Sequence, residues 1–402
     1  MRHQKLYVCC QLFYPELIST GQTLTELCEQ LSYQHANLHV LCAQPTVLHT
    51  KKVKKNILFK NILIERLWST QFNKLNILGK LLNHITFGVS LFIRLLFIPK
   101  QSTILLLTNP PIIPLLMLFL KPLKQFKFSI LLFDLYPETL IAANMARPKN
   151  PLIGLYKLFN QQLYRSAKHV IVIGRCMKKK VQHYFKADQA NLSYIPIWAD
   201  DINIQNAQGT TNFRKQWGLE HAFIVGYSGN LARFHPIKTI LTAAKHCTDP
   251  NIHFVFVGDG AQKQWAQDFA TANNLTHCHF FNYVQRDQLG DLLKSFNCGI
   301  VGLNEENTGL SVPSKTFGLL SAGIPVIACC SKESEIALVL EEYSCGVICE
   351  PTDPVALNKH LLFYKNNQSI LNLHSQNALK AIKQTYNLTT ISKQYFSLLF
   401  QT

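Results

Sequence analysis

The chain has 402 residues, 48% of them hydrophobic, which suffices for two domains that each bury a core and excludes a disordered polypeptide. Lys and Arg number 40 against 23 Asp and Glu, a net charge of +17. The excess lies wholly in residues 1–200, with 25 basic and 8 acidic side chains, whereas residues 201–402 hold 15 of each. Such asymmetry points to a polyanionic partner: nucleic acid, an anionic membrane surface or a phosphorylated substrate.

The basic clusters are Lys51, Lys52, Lys54, Lys55 and Lys60, then Lys121, Lys124 and Lys127, then Lys178, Lys179 and Lys180. They stand beside strongly apolar segments, which favours a membrane surface. Zinc-finger spacing, aromatic RNA-binding signatures and basic regions leading into heptads are all missing, so no nucleic-acid partner is expected. The twelve cysteines are scattered. They read as buried free thiols of a reducing cytoplasm, and no His/Cys quartet has metal-site spacing, so neither a metal nor a cofactor is expected.

In chain order, the N-terminus leads directly into a strand at 6–10 without a signal-peptide hydrophobic region. A loop through Pro15 and Gly21, an amphipathic helix over 23–34 and a strand at 38–43 complete a βαβ unit. Leu81 to Ile98 reads either as an interfacial amphipathic segment or as a buried helix. The apolar run 104–120 is interrupted by Asn109, Pro110, Pro111 and Pro114, too broken to span a bilayer, and divides into strand, turn and helix. Further strands are predicted at 129–133 and 170–173, their continuous apolar character implying cover on both faces. The run 195–200 and the polar stretch 205–212 read as a linker. A second strand series follows at 224–228, 253–257, 278–281, 299–301, 325–328 and 346–349, again doubly wound, and 375–399 reads as helix.

Ligands of doubly wound sheets bind beyond the carboxyl ends of the strands, which draws the argument to the loops there. The loop Gln11–Gln22 ends at a helix start, where Gly21 either admits a phosphate or sugar or simply makes a turn. It lacks the G-x-G-x-x-G of a dinucleotide-dependent dehydrogenase. Asp134-Leu135-Tyr136-Pro137-Glu138 carries two carboxylates: Asp134 and Glu138 are the candidate catalytic residues, either as base or sugar-steadying groups, with helix capping as the competing role for Asp134. Ser228-Gly229-Asn230-Leu231-Ala232-Arg233 suits a diphosphate, Arg233 offering planar bidentate donors. Val257-Gly258-Asp259-Gly260 is a tight turn whose glycines read as structural. The loop from Asn304 to Lys315 is the richest: amides at Gly309, Leu310 and Ser311, with Ser314 and Lys315 at a helix start, can neutralise a leaving diphosphate. Beyond the next strand, Glu335 reads either as a ribose ligand or as a first-turn acid.

The order Tyr14-Pro15-Glu16, Asp134-Leu135-Tyr136-Pro137, Tyr227-Ser228-Gly229-Asn230, Val257-Gly258-Asp259-Gly260, Pro313-Ser314-Lys315 and Ala322-Gly323-Ile324-Pro325-Val326 resembles the retaining family-four glycosyltransferases. The likeness is to the branch that builds colanic acid, O-antigen and capsule, and it covers nearly the whole chain. It implies a GT-B α/β architecture of two Rossmann-like doubly wound domains facing across a cleft. An acceptor domain would span 1–197, a nucleotide-sugar donor domain 198–385, and a helix over 386–402 would cross back. Transfer to a polyprenyl-diphosphate-linked saccharide would retain the anomeric configuration and require no metal, with the protein peripheral on the inner face of the cytoplasmic membrane. The family's paired glutamates are absent, their places falling near Leu310 and Gly318. Its Arg and Lys beyond the first donor-domain strand become Asn230 and His235, which moves phosphate contact to Arg233 and Lys315. A sugar-nucleotide 2-epimerase of the same fold and a non-catalytic membrane partner of other transferases are the alternatives.

Overall fold

A computed structural model describes residues 5–16, 19–34, 37–45, 53–72, 77–185, 191–199, 204, 207 and 211–401. Lys51, Lys52 and most of the 205–212 stretch lie outside these residues. The chain divides into two compact units, Met1–Pro196 with Ile391–Thr402, and Ile197–Thr390.

The first unit is built on eight strands: β1 Leu6–Cys9, β2 Leu38–Ala43, β3 Asn56–Phe59, β4 Ile62–Leu67, β5 Thr103–Leu107, β6 Lys127–Leu132, β7 His169–Val172 and β8 Leu192–Tyr194. Their order is β3-β4-β2-β1-β5-β6-β7-β8, all parallel except β3 against β4. Every residue of β1, β2, β5 and β7 is buried, as a parallel sheet covered on both faces requires. The β3–β4 hairpin and β8 were not anticipated. Lys60 and Asn61 make the hairpin turn, both with positive φ (45° and 63°), the geometry that matches strand twist.

The second unit has β9 Phe223–Ser228, β10 Ile252–Val257, β11 Cys278–Phe281, β12 Cys298–Gly302, β13 Val326–Cys329 and β14 Gly346–Cys349, all parallel in the order β11-β10-β9-β12-β13-β14. This doubly wound order reverses direction between β9 and β12, and in the first unit between β1 and β5; ligands of such sheets bind at these switch points. Pairing of β9 with β12 is confined to Val225–Cys298 and Gly226–Gly299, so the carboxyl ends of the two strands are free to part there.

The helix Ile77–Leu96 has one buried and one exposed face. Asn83, Phe87, Leu91 and Leu95 are buried against the sheet, while Leu78, Leu81, Leu82, Ile85, Val89 and Ile93 are exposed. Arg94 pins the helix to β4 through both oxygens of Glu65, at 2.8 and 3.0 Å. Among the described residues no helix is long and apolar enough to cross a membrane. All twelve cysteines are free, ten of them buried.

Candidate functional site

The switch point of the second unit is assembled by glycines. Beyond β9 the chain turns at Gly229 (φ 123°), and beyond β10 at Gly258 (φ 148°) and Gly260 (φ 147°). A Cβ on Gly258 would lie 2.1 Å from the Gly229 carbonyl oxygen, so the two turns touch as only glycine permits. The Gly229 amide donates to Val257 O and the Leu231 amide to Asp259 O, each at 2.8 Å. Lys263 Nζ donates to Gly258 O at 2.8 Å and to Phe281 O at 3.2 Å. The Gly258-Asp259-Gly260 turn thus buttresses the loop that opens the switch point.

Across from it, the loop beyond β12 is tied in by the Asn304 amide, which donates to Phe234 O at 2.9 Å. It delivers Lys315, first residue of the helix Lys315–Ser321, to the end of β9. Lys315 Nζ donates to Tyr227 Oη at 2.6 Å and to Asn230 O at 3.3 Å, and stands 4.0 Å from the centre of the Tyr227 ring. No carboxylate pairs with it among the described residues. Desolvation lowers this amine to about 7, since burial without a counter-charge disfavours the ammonium. His235 is buried behind the same phenol, its Nδ1 2.7 Å from Tyr227 Oη and 3.0 Å from Asn230 O. Burial, with Lys315 adding to it, depresses that imidazole to about 3.

Around this centre the sequence candidates separate. The amides of Gly309, Ser311, Ser314 and Lys315 have no acceptor among the described residues and remain available to a ligand. The Leu310 amide is already used, donating to Asn307 O at 3.0 Å, and its side chain is buried, so Leu310 supports the loop. Ser314 caps the helix by position, but its hydroxyl makes no cap hydrogen bond. Asn230 and Arg233 are exposed at the loop surface. Glu335 is 2% exposed and opens the helix Glu335–Tyr343, whose cap is Ser334 accepting from the Ala337 amide at 3.2 Å. The first-turn role is the one its position fulfils.

In the first unit, Asp134 and Glu138 diverge. Asp134 follows β6 and receives no hydrogen bond among the described residues; desolvation raises its carboxyl to about 6, with Lys80 opposing. It caps nothing: the helix Glu138–Ala142 begins at Pro137 with no side-chain cap. Glu138 is engaged, accepting from Tyr184 Oη at 2.6 Å with Lys157 Nζ at 3.7 Å and His183 Nε2 at 3.9 Å. Burial, with the Glu138 carboxylate adding to it, holds the Tyr184 hydroxyl well above the ordinary phenol range. At Gly21 a Cβ would meet Glu16 O at 2.7 Å, and Thr25 Oγ1 donates to the glycine carbonyl at 2.7 Å, so the close packing of this loop requires glycine. It lies in the first unit.

Residues 209–384 match the family model for glycosyl transferases group 1. The match lies within the second unit and covers most of it. The glycosyltransferase WbjE of Pseudomonas aeruginosa is 28% identical over 267 residues, covering 62% of each chain. The colanic acid biosynthesis glycosyl transferase WcaI of Escherichia coli K12 is 25% identical over 217 residues, 52% of this chain and 53% of that one. The matched stretches thus span about half to three-fifths of these relatives. Anabaena HepE, solved with UDP-glucose, superposes over the whole of both chains with a TM-score of 0.73 at 15% identity, which shows a common fold. The GT-B expectation of two parallel-sheet α/β units is therefore the observed architecture.

At this switch point the residues that sequence reasoning missed are Tyr227 and the working position of His235. Tyr227 lies next to the end of an apolar strand and reads as core; nothing in its own neighbourhood announces a lysine arriving from residue 315. The site as a whole combines one under-compensated cation, four open amides and an exposed Arg233. By charge and donor count this set suits an anion such as a diphosphate.

Proposed function

We propose that the protein transfers a sugar from a nucleotide-diphosphate donor to a saccharide acceptor in bacterial surface polysaccharide synthesis, with retention of anomeric configuration. The observation that carries this reading is Lys315, a cation without a counter-charge at the switch point of the domain that matches the family. The donor diphosphate supplies that charge, with the amides of Gly309, Ser311 and Ser314 around it and Arg233 at the rim. The bond from the anomeric carbon to the diphosphate breaks as the acceptor oxygen bonds from the same face, and the acceptor proton passes to the departing phosphate oxygen. No protein nucleophile and no metal enter this scheme. Asp134, unpartnered and largely ionised above pH 6, serves the acceptor side as hydrogen-bond acceptor for a sugar hydroxyl.

The acceptor in this reading is a polyprenyl-diphosphate-linked saccharide, met at the inner face of the cytoplasmic membrane. Support comes from the exposed apolar face of Ile77–Leu96, continued by Phe119 and Leu123 on the contacting helix Met117–Lys124 and by Leu152, Leu155 and Leu158 on the next, Pro151–Ser166. Lys80, Lys121 and Lys124 accompany these faces. Each basic group near an anionic leaflet contributes about 1 kcal/mol, so a few suffice for reversible attachment. Flotation with phosphatidylglycerol vesicles should decline as salt rises and fall further in an Ile85→Asp, Val89→Asp variant; unchanged flotation of that variant removes this face from the contact.

The deciding experiment incubates the purified protein with UDP-, GDP- and ADP-sugars, with and without lipid-linked saccharide. Nucleotide release that requires the acceptor is the expected result. Isomerised sugar nucleotide formed without acceptor marks a 2-epimerase, and neither product marks a non-catalytic partner.

A further inference from the structure

Lys315 raises a question that diphosphate binding alone does not answer: why a lysine is buried against a phenol rather than a carboxylate. An ammonium has three N–H groups; one is spent on Tyr227 Oη and one on Asn230 O, which leaves a third open. The titratable groups around it are Tyr227 from β9, His235 from the following loop and, behind Tyr227, Tyr283 from the loop beyond β11. Burial keeps the Tyr227 hydroxyl protonated, well above the ordinary phenol range. His235 stays a neutral imidazole and reaches the same phenol and the same Asn230 carbonyl as the lysine. The cluster therefore orients the amine with dipoles and an aromatic face and adds no charge of either sign. A carboxylate in the place of Tyr227 would fix the ammonium permanently and compete with an incoming anion.

We propose that Tyr227 and His235 are positioning residues that hold the Lys315 amine without a counter-ion in the free protein, so that the donor diphosphate completes the ion pair and brings a proton from solvent onto Lys315 as it binds. This rests on the reading of Lys315 as the diphosphate ligand. Above about pH 7, where the free amine is mostly neutral, a neutral amine and a dianionic diphosphate ester become an ammonium paired with that dianion, the proton coming from water or buffer, with no bond to the sugar made or broken.

Calorimetry of UDP-, GDP- and ADP-glucose binding, in buffers of differing ionisation enthalpy, tests it directly. Diphosphate diesters do not themselves titrate near neutrality, so a proton taken up belongs to the protein. Uptake should approach one proton at about pH 8.5 and vanish near pH 6, and above about pH 7 affinity should fall roughly tenfold per pH unit. Lys315→Arg, always charged, should bind the donor with no uptake and a flat pH profile. Tyr227→Phe removes the oxygen that accepts from the ammonium and should move the midpoint to lower pH, His235→Asn by less, with circular dichroism and melting reporting the fold. Donor binding without proton uptake at high pH, or midpoints unmoved in both Tyr227→Phe and His235→Asn, overturns the proposal while leaving the diphosphate site standing. Donor affinity undiminished in Lys315→Met overturns the site itself.

Discussion

Asp134 beyond β6 and Lys315 beyond β12 are a mirrored pair of ionisable groups, one in each unit. Each follows a parallel strand, neither makes an ion pair among the described residues, and burial drives the carboxyl up to about 6 and the amine down to about 7. Glu138 makes the contrast: four residues past Asp134 in the same loop, it accepts from Tyr184 and has Lys157 and His183 nearby. A charged residue at a strand's carboxyl end is thus no measure of availability. What its neighbours leave unsatisfied decides whether it can serve a substrate.

The pair can be broken from either side. Lys315→Ala should have the largest effect, about 100-fold or more on turnover of donor with acceptor, as loss of a group facing charge that develops on the leaving diphosphate does. The same change should raise the melting temperature of the free protein, because it removes an under-compensated buried cation. The sign follows from linkage: a folded-state pKa below the unfolded 10.5 means the unfolded chain binds more protons between about pH 7 and 10.5, so stability from this group rises with pH there. A melting temperature that drops instead would make Lys315 structural.

Asp134→Asn should lower turnover by about tenfold to 100-fold and flatten the acid limb of the pH profile, which in the unaltered protein falls as pH drops through about 6. Here the folded pKa is raised above 3.8, so the protonated form favours folding, and the stability it adds is full below about 4 and lost as pH rises through about 6. The Asn variant should therefore melt higher than the parent at pH 8 and alike near pH 4. Glu138→Ala should show the opposite balance: destabilisation of about 1–3 kcal/mol in urea unfolding, from a Tyr184 hydroxyl left without its acceptor, with a smaller effect on turnover. Arg233→Ala should change least, a few-fold in KM for donor at low salt, since the side chain is exposed and screened.

The strands were readable because buried parallel strands are written as unbroken apolar runs, and β2, β11 and β14 stand at their predicted bounds. The β3–β4 hairpin escaped because β3 alternates exposed and half-buried residues at a sheet edge and its turn, Lys60-Asn61, has no glycine. At the site, glycines and polar residues after strand ends pointed to the right loops, since a doubly wound sheet has few other places to bind anything. What sequence could not separate was Asp134 from Glu138, because the difference is Tyr184, 46 residues away in the chain. Nor could it see Tyr227 and His235 as companions of Lys315, for the Tyr227 contact spans 88 residues and joins β9 to the helix that follows β12, two strands that are neighbours only in the folded sheet.

The closing segment of the chain carries one more consequence. Residues 391–402 group with the first unit, where Ile391 and Tyr395 are wholly buried and the Leu398 backbone hydrogen-bonds His169 on β7. Some 194 residues of the second unit lie between Pro196 and that segment. During synthesis the second unit is therefore complete before the first has all its parts, and the amino-terminal half waits on residues 391–402.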